Sequence, residues 1–246
     1  MAKGVIRMNA QRSTLPVMLL PGTLCDARVF APLAALLPGC DRRVAKMAGA
    51  CSARDLASAI LLSAPERFVA VGFSLGAIVA LEIAAIAPER VAGLALIASS
   101  ARPDKPGGAE SRRADVAEAQ SRGIAPFLLE KLWPRYVGTA GRTNLALQRL
   151  VLDMAESLGP EIFATQTEVA ISRADSRPRL AALKMPVLAM GGEEDALCPP
   201  ALQHEIAGAV PGATLRIIPG AGHFVLQESP LAAQQIAAWL DTIAPD

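Results

Sequence analysis

The sequence predicts an α/β domain: a mostly parallel sheet flanked by helices, with a helical cap inserted between two of its strands. Three observations lead there. Up to residue 100, short apolar runs bounded by Pro and Gly alternate with stretches of helical periodicity, the pattern of strands joined by helical crossovers. Those runs are continuously apolar, as in strands buried on both faces. From Ala101 to about Leu183 the composition changes to charged, helix-favouring residues broken by Pro103, Pro106, Gly123, Pro126, Pro134, Gly159 and Pro160, with no strand run. The strand pattern then resumes, so residues 1–100 and 184–246 read as the core and 101–183 as the cap.

Taken in order, Gly4 to Met8 is a weak apolar candidate, and Val17 to Leu20 is a buried strand stopped by Pro21-Gly22. Asp26 can cap a helix carrying Val29, Phe30, Leu33, Leu36 and Leu37. Arg42 to Met47 is a weak strand, and Ser52 opens a helix through Leu56, Ile60 and Leu61 that Pro65 ends. Phe68 to Val71 is the next buried strand, followed by a helix through Ile78, Val79, Leu81, Ile83 and Ile86. Val91 to Ala98, Pro186 to Met190 and Thr214 to Ile218 supply three more strands, and Ile236, Trp239, Leu240 and Ile243 mark the last helix. Within the cap, Phe127, Leu128, Leu132, Trp133, Tyr136, Met154 and Phe163 are the apolar candidates for its inner surface.

A chain of 246 residues, 52% of them hydrophobic, can bury one large core. Lys+Arg 24 against Asp+Glu 23 leaves a formal charge of +1, which argues against nucleic acid or an anionic membrane as the main partner and for a small, largely apolar molecule. No run approaches the 18 or so apolar residues of a membrane span. Lys3, Arg7 and Arg12 ahead of Leu15 to Leu20 mimic a signal peptide, but Pro16 interrupts that run and no Ala-x-Ala pattern follows, so a strand is expected. Cys25, Cys40, Cys51 and Cys198 show neither Cys-x-x-Cys spacing nor a cluster with His. No metal is expected; the cysteines read as thiols of a cytoplasmic protein, monomeric or homodimeric.

The candidate chemistry centres on Gly72-Phe73-Ser74-Leu75-Gly76, which lies between a strand and a helix. A serine hydroxyl is a poor nucleophile at neutral pH, so it must be exposed on a sharp turn and paired with a base. The chain has two histidines. His204 lies in the polar-flanked helical stretch Leu202-Gln203-His204-Glu205, whereas His223 follows a strand in the loop Gly220-Ala221-Gly222-His223-Phe224, where parallel sheets place their chemistry. An acid is needed to orient the imidazole, after the serine and before the histidine in the chain. Asp195 meets this, with Glu193 and Glu194 as rivals in the same loop and Asp104 as a more distant one. Two backbone N–H groups must also face the developing oxyanion. Leu75 supplies one, and the other falls in Pro21-Gly22-Thr23-Leu24, from Thr23 or, alternatively, Leu24. Leu24, Phe127, Trp133 and Phe224 are the candidate substrate contacts.

On these motifs, from Leu19-Leu20-Pro21-Gly22 through Gly72-Phe73-Ser74-Leu75-Gly76 and Pro88-Glu89-Arg90-Val91 to Gly220-Ala221-Gly222-His223, the chain resembles the α/β-hydrolase superfamily. Within it, the resemblance is to small capped bacterial carboxylesterases, including pimeloyl-carrier-protein methyl ester esterases and enol-lactonases. Such relatives usually begin the oxyanion loop with His-Gly, where Pro21 stands here, and commonly start with a two-stranded hairpin. The resemblance implies hydrolysis of a small carboxylic ester through an acyl-serine, without a cofactor. Thioester or lactone hydrolysis, acyl transfer, carbon–carbon bond hydrolysis and perhydrolysis would fit the same triad, and a ligand receptor without turnover is the non-enzymatic alternative.

Overall fold

The computed structural model describes residues 15–244, so the Gly4 to Met8 candidate lies outside the described residues. Six strands form one sheet: β1 (Val17–Leu20), β2 (Arg42–Val44), β3 (Phe68–Phe73), β4 (Val91–Ile97), β5 (Val187–Gly192) and β6 (Thr214–Ile218). Their spatial order is β2-β1-β3-β4-β5-β6, and every neighbouring pair is parallel. β1, β3, β4 and β5 are buried along their whole length, as their continuous apolar runs require. β2 is exposed, since Arg42 and Arg43 cannot be buried on two faces, and it stops at Val44, where its pairing with β1 ends, shorter than the run to Met47 that the sequence suggests.

Successive strand residues point to opposite faces, and this sorts the core into two layers. Val17, Leu19, Val69, Val71, Ile97, Leu188 and Met190 lie in one cluster, joined by Phe30 and by Trp239 and Leu240. Met18, Leu20, Ala70, Leu94, Leu96 and Ala189 lie in the other, joined by Leu56 and Ile60 and by Leu81 and Ile83. The helices match their signals. A short turn after Asp26 leads into α1 (Ala31–Ala35), with the Asp26 carboxylate accepting from the Arg28 N–H. α2 (Ala53–Ser63) is capped by Ser52, whose hydroxyl accepts from the Asp55 N–H at 3.0 Å. α3 (Leu75–Ile86) is buried nearly all round, as a helix under a sheet centre should be.

Between β4 and β5 the described chain is helical throughout: α4 (Gly108–Arg122), α5 (Ile124–Phe127), α6 (Trp133–Tyr136), α7 (Leu145–Ile171) and α8 (Arg177–Leu180), with short turns between. α7 bends at Gly159, whose φ of 77° breaks the helix where Gly159-Pro160 predicts a break. α9 (Pro200–Ala209) joins β5 to β6, and α10 (Val225–Glu228) and α11 (Pro230–Leu240) follow β6. No helix among the described residues is long and apolar enough to cross a membrane.

Leu94, fully buried in the central strand β4, tests this layering. Leu94→Ala should cost about 2–5 kcal/mol, read in urea titrations as a lower midpoint at unchanged slope. A midpoint equal to wild type would contradict the packing.

Candidate active site

The chain turns out from β1 to β2 on one side and returns to β3 on the other, so the carboxyl ends of β1 and β3 flank a topological switch point, where parallel sheets place ligands. Ser74 stands at the end of β3 with φ 52° and ψ −112°, a left-handed conformation that is strained for a residue with a Cβ. Its N–H donates to the Ile97 carbonyl at 2.8 Å, and its own carbonyl accepts from the Ala77 N–H at 3.0 Å, so both sides of the turn are tied down. The turn closes only because no side chain stands at Gly76: a Cβ there would collide with the Leu20 carbonyl, and one at Gly72 would come within 2.5 Å of the Ala77 Cα. Leu75, next in the chain, opens α3, where the first N–H groups have no intrahelical acceptor.

His223 and Asp195 reach this serine from the ends of β6 and β5. His223 Nε2 lies 3.0 Å from Ser74 Oγ, and Nδ1 lies 2.8 Å from Asp195 Oδ2. The other carboxylate oxygen, Oδ1, accepts from the Leu197 and Cys198 N–H groups, each at 2.8 Å. Burial opposes ionisation of Asp195, but the imidazole and these two amides outweigh it and hold the carboxyl below its ordinary range. An ionised carboxylate only accepts, so Nδ1 carries a proton, and in the neutral ring Nε2 is then the acceptor that faces the serine. The ring is also clamped. Phe73 lies 5.2 Å away, and Tyr136 stacks on it at 5.9 Å with 19° between the planes.

The rival groups have other work. His204 is exposed on α9. Glu193 accepts from the Gly220 N–H, and Glu194 accepts from the N–H and hydroxyl of Thr139 at 2.6 and 2.7 Å. Asp104 is held by Arg112 and Arg173. Asp195, Cys198 and His223 bring ligand-type atoms within 4.8 Å of one another. Asp195 and His223 spend those atoms on each other, and burial, then the charge of Asp195, pushes the Cys198 thiol up to about 12. A protonated thiol and two groups already bonded to each other suit a cation poorly.

On the β1 side, the Cys25 N–H donates to the Gly22 carbonyl at 3.2 Å, closing a turn over Thr23 and Leu24. Leu24 is buried with φ 55°, and its N–H donates to Gln166 Oε1 of α7 at 2.8 Å. Phe224, beside His223, packs edge-on against Phe73 at 5.4 Å. Phe127 pairs with Phe163 at 5.6 Å, and the Trp133 indole donates to the Arg142 carbonyl, both contacts lying within the helical segment.

Three residues outside the sequence-derived site hold it together. Tyr136 covers the imidazole, and its carbonyl accepts from the Phe224 N–H at 3.0 Å. Glu228 accepts from the Gly138 N–H at 2.7 Å and the Gly222 N–H at 3.0 Å, stitching the histidine loop to the helical segment. Its burial raises the carboxyl above the ordinary glutamate range, against the pull of those two amides. Gln166 grips the turn at Leu24. Tyr136 carried a sequence signal as an apolar candidate, whereas Glu228 and Gln166 are ordinary helical polar residues with no local signal.

The sheet, its connections and this rim define the α/β-hydrolase fold. A model of the alpha/beta hydrolase family matches residues 15–234, and the chain belongs to that family. It is 32% identical to a pimeloyl-(acyl-carrier protein) methyl ester esterase of Pectobacterium carotovorum subsp. carotovorum, over 82% of this chain and 80% of that protein. Among solved structures, a thermophilic esterase from Thermogutta terrifontis superposes with a TM-score of 0.83 at 27% identity, covering 95% of this chain and 92% of that one. An enol-lactonase from Burkholderia xenovorans shares the fold, with a TM-score of 0.80 at 22% identity over 93% and 92% of the two chains.

Because the folded carboxyl of Asp195 is depressed, its ionised form contributes stability that is present above the unfolded aspartate value of about 3.9 and is lost as pH falls through the folded value. The stability difference between wild type and Asp195→Asn, measured by urea titration, should therefore shrink as pH is lowered from about 5 to below 3. A difference independent of pH would contradict the assigned ionisation.

Proposed function

We propose that this protein is a cofactor-free serine carboxylesterase that hydrolyses a small carboxylic ester through an acyl-serine intermediate. One observation carries the reading: the unbroken hydrogen-bond chain from Ser74 Oγ through His223 to Asp195, set at the carboxyl rim with the serine on a left-handed turn. Ser74 Oγ attacks the ester carbonyl while His223 Nε2 takes its proton, then returns it to the leaving alcohol. A water activated by the same nitrogen releases the acid. Asp195 stabilises the imidazolium through Nδ1.

The Leu75 N–H, at the positive end of α3, is one oxyanion donor. Since the Leu24 N–H is committed to Gln166, Thr23 is the second. Residues 101–183 act as the cap, with Leu24 and Phe224, whose ring lies 6.3 Å from that of His223, as substrate contacts. That the relatives at about a third identity are named methyl ester esterases supports a carboxylic ester with a small alcohol.

Ser74→Ala should lower hydrolysis of a short p-nitrophenyl ester by about 10⁴-fold or more, with the circular dichroism spectrum and unfolding midpoint retained. Activity near wild type in that variant would refute the assignment. Binding of esters without turnover in the wild type would favour a receptor.

A further inference from the structure

We propose that Gln166 is a positioning residue for the oxyanion turn, and that through it the helix α7 sets the reactivity of the site. The inference rests on the reading of Thr23 and Leu75 as oxyanion donors. The turn is closed by the Cys25 N–H on the Gly22 carbonyl, and of its two central residues only Leu24, the second, has positive φ. That is the type II pattern, whose second central position favours glycine. A leucine there is held against its own backbone preference.

Types I and II of such a turn differ by a half-rotation of the central peptide, which here carries the Thr23 carbonyl and the Leu24 N–H. Gln166 decides between them. Its Oε1 accepts from the Leu24 N–H at 2.8 Å, while its Nε2 donates to the Met47 carbonyl at 3.1 Å. The side chain is 1% exposed, so water cannot substitute for either bond. Rotating the peptide would take the N–H away from Oε1 and swing the carbonyl oxygen towards it, setting acceptor against acceptor. The Cys25 thiol, which donates to the Thr23 carbonyl at 3.3 Å, holds the other side of the same peptide. The Thr23 N–H belongs to the adjoining peptide of the same turn, so a central peptide held on both sides keeps the turn from interconverting and spares that donor reorganisation as charge develops.

The test uses Gln166→Met, which keeps the volume and removes both bonds. Losing a whole oxyanion donor costs about 10²–10³ in kcat, so a loosened one should lower kcat on a short p-nitrophenyl ester by about 10- to 100-fold. KM should stay within about twofold, because ground-state binding is untouched. Affinity for butylboronic acid, which forms a tetrahedral adduct on the serine, should fall in step with kcat/KM, and the acid limb of the pH profile should not move.

A purely structural role would lower the unfolding temperature yet leave kcat and boronate affinity at wild-type values, and that result overturns the proposal. Should the methionine variant fail to fold, Gln166→Asn withdraws the amide by one methylene, with the same paired loss expected and the same wild-type values contradicting it. Failure of the serine-hydrolase reading that those donors presuppose is distinguishable: the wild type would then form no boronate adduct, and Ser74→Ala would keep its activity.

Discussion

The left-handed turn at Ser74 is the constraint on which the rest of the site depends. Forcing a non-glycine residue into this conformation costs on the order of 1–3 kcal/mol. The fold meets that cost with a buried strand on one side, a buried helix on the other and the Ile97 carbonyl across the sheet. The reward is geometric. Oγ projects beyond the sheet edge into reach of groups carried by β5 and β6, and the start of α3 presents its N–H groups beside it. Gly76 makes this possible by letting α3 press against the end of β1, so the serine and the turn at Thr23 are brought together by one close backbone contact.

Strain is concentrated along that rim. Leu24, Ser74 and Ala98 are the non-glycine residues with positive φ among those described, and they follow β1, β3 and β4 respectively. Each is anchored by a specific bond: Leu24 to Gln166, Ser74 to Ile97, and Ala98 to Met190 at 2.7 Å. The helical segment between β4 and β5 supplies much of this bracing. Thr139 is bonded to Glu194 in the acid's loop, Gly138 to Glu228, and Tyr136 to Phe224 beside the histidine. The segment therefore holds loops of the site, and changes in it need not touch the reacting atoms to alter rate.

Strand and helix periodicity made the architecture legible, because four strands are buried on both faces and announce themselves as continuous apolar runs. β1 and β6 occur at the expected residues, and the caps at Asp26 and Ser52 are as expected. β3 runs on to Phe73, because its ladder with β4 continues through the motif itself, and β2 stops at Val44, where its pairing with β1 ends. Ser74, His223 and Asp195 were readable since each sits in a loop directly after a strand, where local sequence and chain order carry information. Gln166 and Glu228 were not. Their partners are backbone groups, Leu24 and Met47 for one and Gly138 and Gly222 for the other, and a long-range bond to an amide or carbonyl leaves no mark on the sequence around either partner. Phe127 and Trp133 are large apolar residues of the helical segment, and their ring and carbonyl partners, Phe163 and Arg142, were likewise not marked by the sequence around them.

Whether the rim performs covalent catalysis is settled most directly by trapping the intermediate. The protein would be mixed with a short p-nitrophenyl ester, quenched in acid within the first turnovers, digested and analysed by mass spectrometry. An acyl-serine mechanism predicts an acyl group on the peptide containing Ser74, appearing with the initial release of nitrophenol. Steady turnover with Ser74 unmodified and the acyl group on another side chain would contradict it.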